Sequence, residues 1–228
     1  MTNYNEASGL MAFWSDIDED YLQCFQQWHN CEHVPERVSI PGFLRGRRYR
    51  AEDGRAHFLM MYETLTSKAL ASEAYLAALD SPTNWTREAL THFRNPSRNI
   101  YQKVASLGSE GHFCATWITA LRFNRPNEMD SQAVAAWLET MATQQGVGRV
   151  QLWSVDEAAS GIKTAERRIY SGGPGEQQFL LLVEADAAQP VDHKVLEAAD
   201  AAVPQGGERQ HDILERYWLE IFHNAPMT

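Results

Sequence analysis

Two hydrophobic periods alternate along this chain, and the alternation occurs twice in the same order. Residues 9–14 (Gly-Leu-Met-Ala-Phe-Trp) form an apolar run of strand length. Tyr21, Leu22, Phe25 and Trp28 then recur at helical spacing. They predict an amphipathic helix of about four turns, entered through the cap oxygens of Ser15, Asp16 and Asp18, with Glu19 placed as in a capping box. Pro35 lacks an N–H and disfavours the α region before it, which predicts that the helix ends near His33. Strands are predicted over 42–51 and 57–63, joined through Asp53-Gly54. A helix over 67–79 is broken by Ser81-Pro82-Thr83. A second helical stretch covers 86–93, Asn95-Pro96 ends it, and a strand covers 98–107. The order is β-α-β-β-α-β.

The second half repeats it. Residues 112–118 match the first strand, with Trp117 in the place of Trp14. A helix carries Ala133, Val134, Trp137, Leu138 and Met141, and Gly146–Trp153 echoes Gly42–Tyr49. Phe179-Leu-Leu-Leu-Val-Glu184 matches Phe58-Leu-Met-Met-Tyr-Glu63. An Ala-rich helix over 191–203 and a strand over 213–222, with Tyr217 echoing Tyr101, close the copy. Residues 157–176 are extra to the repeat and, with Ser171-Gly-Gly-Pro-Gly175, read as a mobile loop. The predicted division is a first ferredoxin-like repeat over 1–108, carrying the site, and a scaffold repeat over 109–228. The fold class is α+β: two tandem ferredoxin-like repeats whose antiparallel sheets pack into an α/β barrel.

Composition narrows the partners. The hydrophobic share of 44% and charged share of 22% are those of a soluble globular chain. A net charge of -10 argues against nucleic acid or an anionic membrane. The local cluster Arg45, Arg47, Arg48 and Arg50 suits an anionic small molecule instead. Three cysteines without framework spacing fit a reducing compartment, and neither a leader nor a membrane span is read, so a cytoplasmic location is expected.

The densest chemistry lies in Trp28-His29-Asn30-Cys31-Glu32-His33-Val34-Pro35-Glu36-Arg37. His29 and His33 are four apart and share a helix face. Partial burial lowers an imidazole pKa while Glu32, Glu36 or Asp16 raises it, which would poise one ring near neutrality for acid–base work. The plainer alternative is that both rings cap the helix end. The spelling H-x-x-E-H is that of an inverted zincin, but a proline directly after it argues against a peptidase; a divalent metal on the two histidines and a carboxylate stays open. Arg45, Arg47 and Tyr49 project to one face of their strand, as a donor wall or a solvated edge. Trp85, His92, Arg94 and Arg98 surround a loop that could rim a pocket, or Trp85 could simply anchor it. The second copy has no histidine or arginine in its first helix and has Gln151 and Trp153 in place of Arg47 and Tyr49, so the first copy is expected to hold the site. No dinucleotide fingerprint or P-loop is present.

The doubled β-α-β-β-α-β order resembles the dimeric α/β-barrel superfamily in tandem, single-chain form. The stretch Trp28-His29, Glu32-His33-Val34-Pro35-Glu36, Pro41-Gly42-Phe43, Arg47-Arg48-Tyr49 resembles its EthD-type members. The resemblance implies a small-molecule protein, expected as a homodimer. The leading expectation is a cofactor-independent lyase or isomerase acting by dehydration, cyclisation or tautomerisation on an aromatic or apolar acid. His29, His33 and Glu32 are its expected catalytic residues. Trp14, Arg47, Tyr49, Tyr62, Trp85 and His92 are the expected substrate contacts, with no cofactor. The alternatives are a monooxygenase, a haem enzyme using one histidine as proximal ligand, and a non-catalytic ligand-binding accessory protein.

Overall fold

The apolar run at the start of the chain becomes β1 (Gly9–Ile17), buried on both faces except at Asp16. That double burial explains why it is continuously apolar rather than alternating. A computed structural model describes residues 6–109, 115–128, 130–188, 191–204 and 207–226. After β1 come α1 (Leu22–Trp28), a π turn (His29–His33) and α2 (Val34–Val38). The strands β2 (Phe43–Ala51) and β3 (His57–Thr64) follow. Helices α3 (Glu73–Asp80) and α4 (Asn84–Leu90) lead into β4 (Phe93–Gly108). The second half runs β5 (Trp117–Asn124), α5 (Ser131–Ala142), β6 (Val147–Val155), α6 (Glu157–Gly161), α7 (Ala165–Tyr170), β7 (Phe179–Ala185), α8 (His193–Ala201) and β8 (Gln210–Asn224). Hydrogen bonding orders the strands β1-β3-β2-β8-β5-β7-β6-β4 as a closed antiparallel barrel, the α+β class expected from the repeats. Among the described residues, no helix is long and apolar enough to cross a membrane.

The chain divides into two compact units. One, here the site unit, takes the described residues of Asn5–Gln102, Asp156–Gly175 and Glu220–Thr228; the second takes those of Lys103–Val155 and Glu176–Leu219. In the site unit, Met11 and Phe13 of β1 and Met60 and Tyr62 of β3 share one sheet face and pack with Phe25, Trp28, Val34, Tyr75 and Leu90 from its helices. In the second unit, Leu121, Phe123, Val150, Leu152, Leu181 and Val183 pack with Trp137, Leu138 and Met141 of α5.

Three local expectations are corrected. Pro35 does not end the helix; it sits in the first turn of α2, where a missing N–H is tolerated. The π turn before it changes the hydrogen-bond register at the place where an α ladder would meet the proline ring. Residues 157–176 are not a loop, because they build α6 and α7. These are capped by Asp156, which accepts from the Ala159 N–H at 3.1 Å, and by Thr164, which accepts from the Arg167 N–H at 3.3 Å. Arg167 ties the segment together by donating to the carbonyls of Ser160, Ile162 and Gly172 at 3.2, 3.1 and 3.0 Å. Finally, Trp14 faces Leu59 across its ladder, while Trp117 faces Ala185 and Arg122 faces Leu180. Since Leu59 and Leu180 are the matched residues of the repeat, Arg122 and not Trp117 is the counterpart of Trp14. The predicted strand start over 112–114 lies outside the described residues.

Candidate functional site

His29, His33 and Arg37 are spaced four and four, and the uninterrupted run of π turn into α2 keeps all three beside one pocket. That pocket lies wholly in the site unit, between helices and sheet. Its apolar wall includes Met11, Phe13, Trp28, Met60, Leu90 and Phe93. Its polar groups are the two imidazoles, Arg37, Arg98, Glu166 and the phenols of Tyr62, Tyr75 and Tyr170. Thr164, Glu166 and Tyr170 come from α7 and the turn before it. The segment is fixed where it meets β4: the Arg98 N–H donates to the Gly173 carbonyl at 2.9 Å, and Ser160 Oγ accepts from the Ile100 N–H at 2.8 Å.

Arg48 settles the chemistry of His29. Arg48 Nη1 lies 3.1 Å from His29 Nδ1, and a guanidinium only donates, so Nδ1 is the acceptor and Nε2 carries the hydrogen. Nε2 approaches the Tyr62 hydroxyl at 3.5 Å. Arg48 is itself held by Glu220 at 2.8 Å and Asn30 at 2.9 Å. Burial, with Arg48 adding to it, holds the His29 pKa well below the ordinary imidazole value. His33 is lowered in the same way, by burial first and then by the Arg37 and His29 charges. Its Nδ1 is buried with no hydrogen-bond partner among the described residues. Both rings are therefore neutral at neutral pH. The expectation that Glu32, Glu36 or Asp16 would raise them is corrected: the charged neighbours are guanidiniums.

Arg37 is 2% exposed and donates through Nη2 to Glu166. Burial opposes its charge, but Glu166, Tyr75 and Glu36 raise its pKa more than burial lowers it. Burial pushes Glu166 up to about 7 against the pull of Arg37. Arg98 donates to the Tyr75 hydroxyl at 3.1 Å. Burial raises Tyr62, and raises Tyr170 to about 12, so both phenols stay protonated.

Of the residues expected from sequence, His29, His33 and Tyr62 meet in this pocket, and Trp28 walls it. Glu32 is turned away: it accepts from the Thr83 and Thr86 hydroxyls at 2.7 and 3.0 Å, and Thr86 Oγ1 accepts from Trp28 Nε1 at 3.1 Å, so Glu32 braces the indole. Trp14, Arg47 and Tyr49 project from the opposite sheet face. Arg47 is paired there with Glu63 and donates to Tyr49 at 3.0 Å, while Arg45 reaches Glu63 at 2.6 Å, so this buried row is not a solvated edge. Trp85 packs partly buried on the core. His92 stacks on Tyr21 at 3.8 Å and bonds Asp18 at 3.0 Å, off the pocket.

Sequence reasoning missed Arg37, Tyr75, Glu166 and Tyr170. Arg37 had a signal, the 29-33-37 spacing, which the proline concealed. Glu166 and Tyr170 had none, being brought from far along the chain.

No family model matches this sequence, and no curated protein matches it. Solved structures do resemble it. An anthrone oxidase-like protein superposes with a TM-score of 0.61 at 9% identity, covering 97% of this chain and 94% of that one. A candidate monooxygenase from Lactobacillus acidophilus gives 0.55 at 8% identity, covering 96% and 97%. A haem-binding protein from Thermus thermophilus gives 0.52 at 10%, covering 93% and 91%. The chain thus has the fold of the ferredoxin-like α+β barrel proteins, and at such identities the likeness concerns fold alone.

The donor set does not fit a haem. A proximal imidazole turns a lone pair to iron and backs its other N–H with an acceptor. On His29 the lone pair is spent on Arg48, and His33 has the Arg37 cation beside it and nothing accepting at Nδ1. Among the described residues, the group able to hold a divalent ion is Asp18, Asp20 and His92, which does not include His29 or His33.

Proposed function

We propose that this protein is a cofactor-independent oxygenase acting on an aromatic substrate with an acidic C–H. The observation that carries the reading is His33: a neutral imidazole with an unpartnered buried nitrogen, in a largely apolar pocket with Arg37 and Arg98. His33 takes the substrate proton as general base. His29 donates its Nε2 hydrogen towards Tyr62 and holds that hydroxyl in place. The cations oppose an imidazolium until the substrate becomes an anion, so proton transfer is coupled to formation of the charge they stabilise. The resulting resonance-stabilised carbanion reacts directly with dioxygen. A CH₂ becomes C=O, with one oxygen atom in the product and the other in water. The anthrone oxidase-like and candidate monooxygenase neighbours support oxygen chemistry over the lyase or isomerase reading. The EthD-type spelling around His29 and His33 is compatible with it.

Oxygen uptake by the purified protein with anthrone tests the proposal. Uptake matched to ketone or quinone formation is expected, with His33→Gln lowering kcat roughly 10²–10⁴-fold without loss of folding. No uptake, or product formed equally without oxygen, would return the site to isomerase or lyase chemistry.

A further inference from the structure

The pocket contains a cation whose hydrogen-bonding capacity is only partly used. Arg37 gives Nη2 to Glu166, but its Nε and Nη1 are buried and have no partner among the described residues. Buried guanidinium donors left unpaired are costly, and each one in a native structure calls for a partner, whether water, ion or ligand. His33 Nδ1, one helical turn away on the same face, is also buried and unpaired. Charge points the same way. The lining holds two guanidiniums, Arg37 and Arg98, and one carboxylate, Glu166; Glu36, outside the lining, stands 3.9 Å from Arg37 Nη2 and leaves Nε and Nη1 unpaired. Apart from Thr164, the remaining lining is apolar and aromatic.

Resting on the reading of this pocket as the substrate site, we propose that the substrate is a monoanion: a planar aromatic body bearing one carboxylate or comparable acidic oxygen, which docks on the Nε and Nη1 edge of Arg37. Arg37 assumes the role that sequence reasoning gave to Arg47, whose charge is used by Glu63. Glu166 competes with the ligand for the same guanidinium, so α7 sets how strongly the anion is held.

Fluorescence titration, followed through Trp28 and the other tryptophans, compares benzoate, 2-naphthoate and 9-anthroate with their uncharged carboxamides. At least one acid is expected to bind about tenfold or more tightly than its amide, the range of a charge-assisted hydrogen-bonded pair. Arg37→Gln should abolish that preference. The double variant Arg37→Gln/Glu166→Gln, which removes both members of the buried pair, should lose it equally. Glu166→Gln should keep or strengthen it. If no acid outbinds its amide, if the preference survives in a folded Arg37 variant, or if Glu166→Gln loses it, the proposal is wrong. The titration needs neither oxygen nor turnover, so a protein that prefers the acids yet consumes no oxygen refutes the oxygenase reading alone.

Discussion

The two units solve the same packing problem with opposite results. Both carry a turn glycine in the left-handed region, Gly42 at φ 91° and Gly146 at φ 83°, followed by a register shift in the ladder. Both then place an arginine against the glutamate of the matched strand: Arg45 with Glu63 at 2.6 Å, and Arg149 with Glu184 at 2.6 Å. The glutamates are 1% and 0% exposed. A feature present in both copies belongs to the fold, which makes the Arg45–Glu63 pair structural; Arg47, whose place Gln151 takes in the second copy, has no such counterpart. The helix-covered faces differ. The second unit fills its face with Val150, Val183, Leu138 and Met141. The site unit places Gly46 and Tyr62 at the positions matched to Val150 and Val183, and brings His29, His33 and Arg37 over them. One copy closed its core. The other kept a pocket and lined it with groups that a core would exclude.

The comparison can be attacked at its strongest point first. If the Arg–Glu pairs are equivalent scaffolding, Glu63→Ala and Glu184→Ala should each destabilise by about 3–5 kcal/mol, since each leaves a buried cation unpaired. Chemical denaturation of both variants measures it. A variant of Glu63 with normal stability but no ligand binding would contradict the structural assignment.

A smaller effect is expected at Gly46. A Cβ there would stand 2.9 Å from Val34 Cγ1 and 3.0 Å from the Tyr62 ring. Gly46→Val, the second unit's residue, should cost about 1–3 kcal/mol by overpacking and reduce binding of any aromatic probe. Unchanged stability and binding would mean that this close approach does not shape the pocket.

The smallest effect is a pH dependence confined to the site unit; among the described residues, the second unit buries no histidine. His29 and His33 have folded pKa values below the ordinary 6.5. Below roughly pH 6.5 the unfolded chain binds protons that the folded chain refuses, so stability falls as pH drops, by at most about 1.4 kcal/mol per pH unit per ring. Glu166, raised to about 7, acts in the opposite sense, losing stability as pH rises from 4.5 through 7. The measurement is therefore the difference between wild type and His29→Gln or His33→Gln across that window. Parallel curves would show that the rings are not held neutral by the fold.

Much of the architecture was legible because it depends on local pattern. The strand runs at 9–14, 42–51, 57–63 and 179–184, the helix through Trp137, Leu138 and Met141, and the pairing of Tyr101 with Tyr217 as repeat equivalents all appear in the structure. The candidate site was legible in part. His29 and His33 announced themselves by spacing, and Tyr62 lay on the strand beneath them. Arg47 and Tyr49 fall on the face away from this pocket, because strand alternation gives two faces without saying which one meets the helices.

The sequence by itself determined the doubled β-α-β-β-α-β order and the imidazole pair, since periodicity and helical spacing are properties of neighbouring residues. Only the tertiary structure decided that the helix passes through Pro35 to deliver Arg37, that α7 brings Glu166 and Tyr170 to the first repeat, and that guanidiniums rather than carboxylates surround the histidines. Those outcomes depend on groups distant in sequence sharing one desolvated space, where burial and charge act through proximity and not through order along the chain.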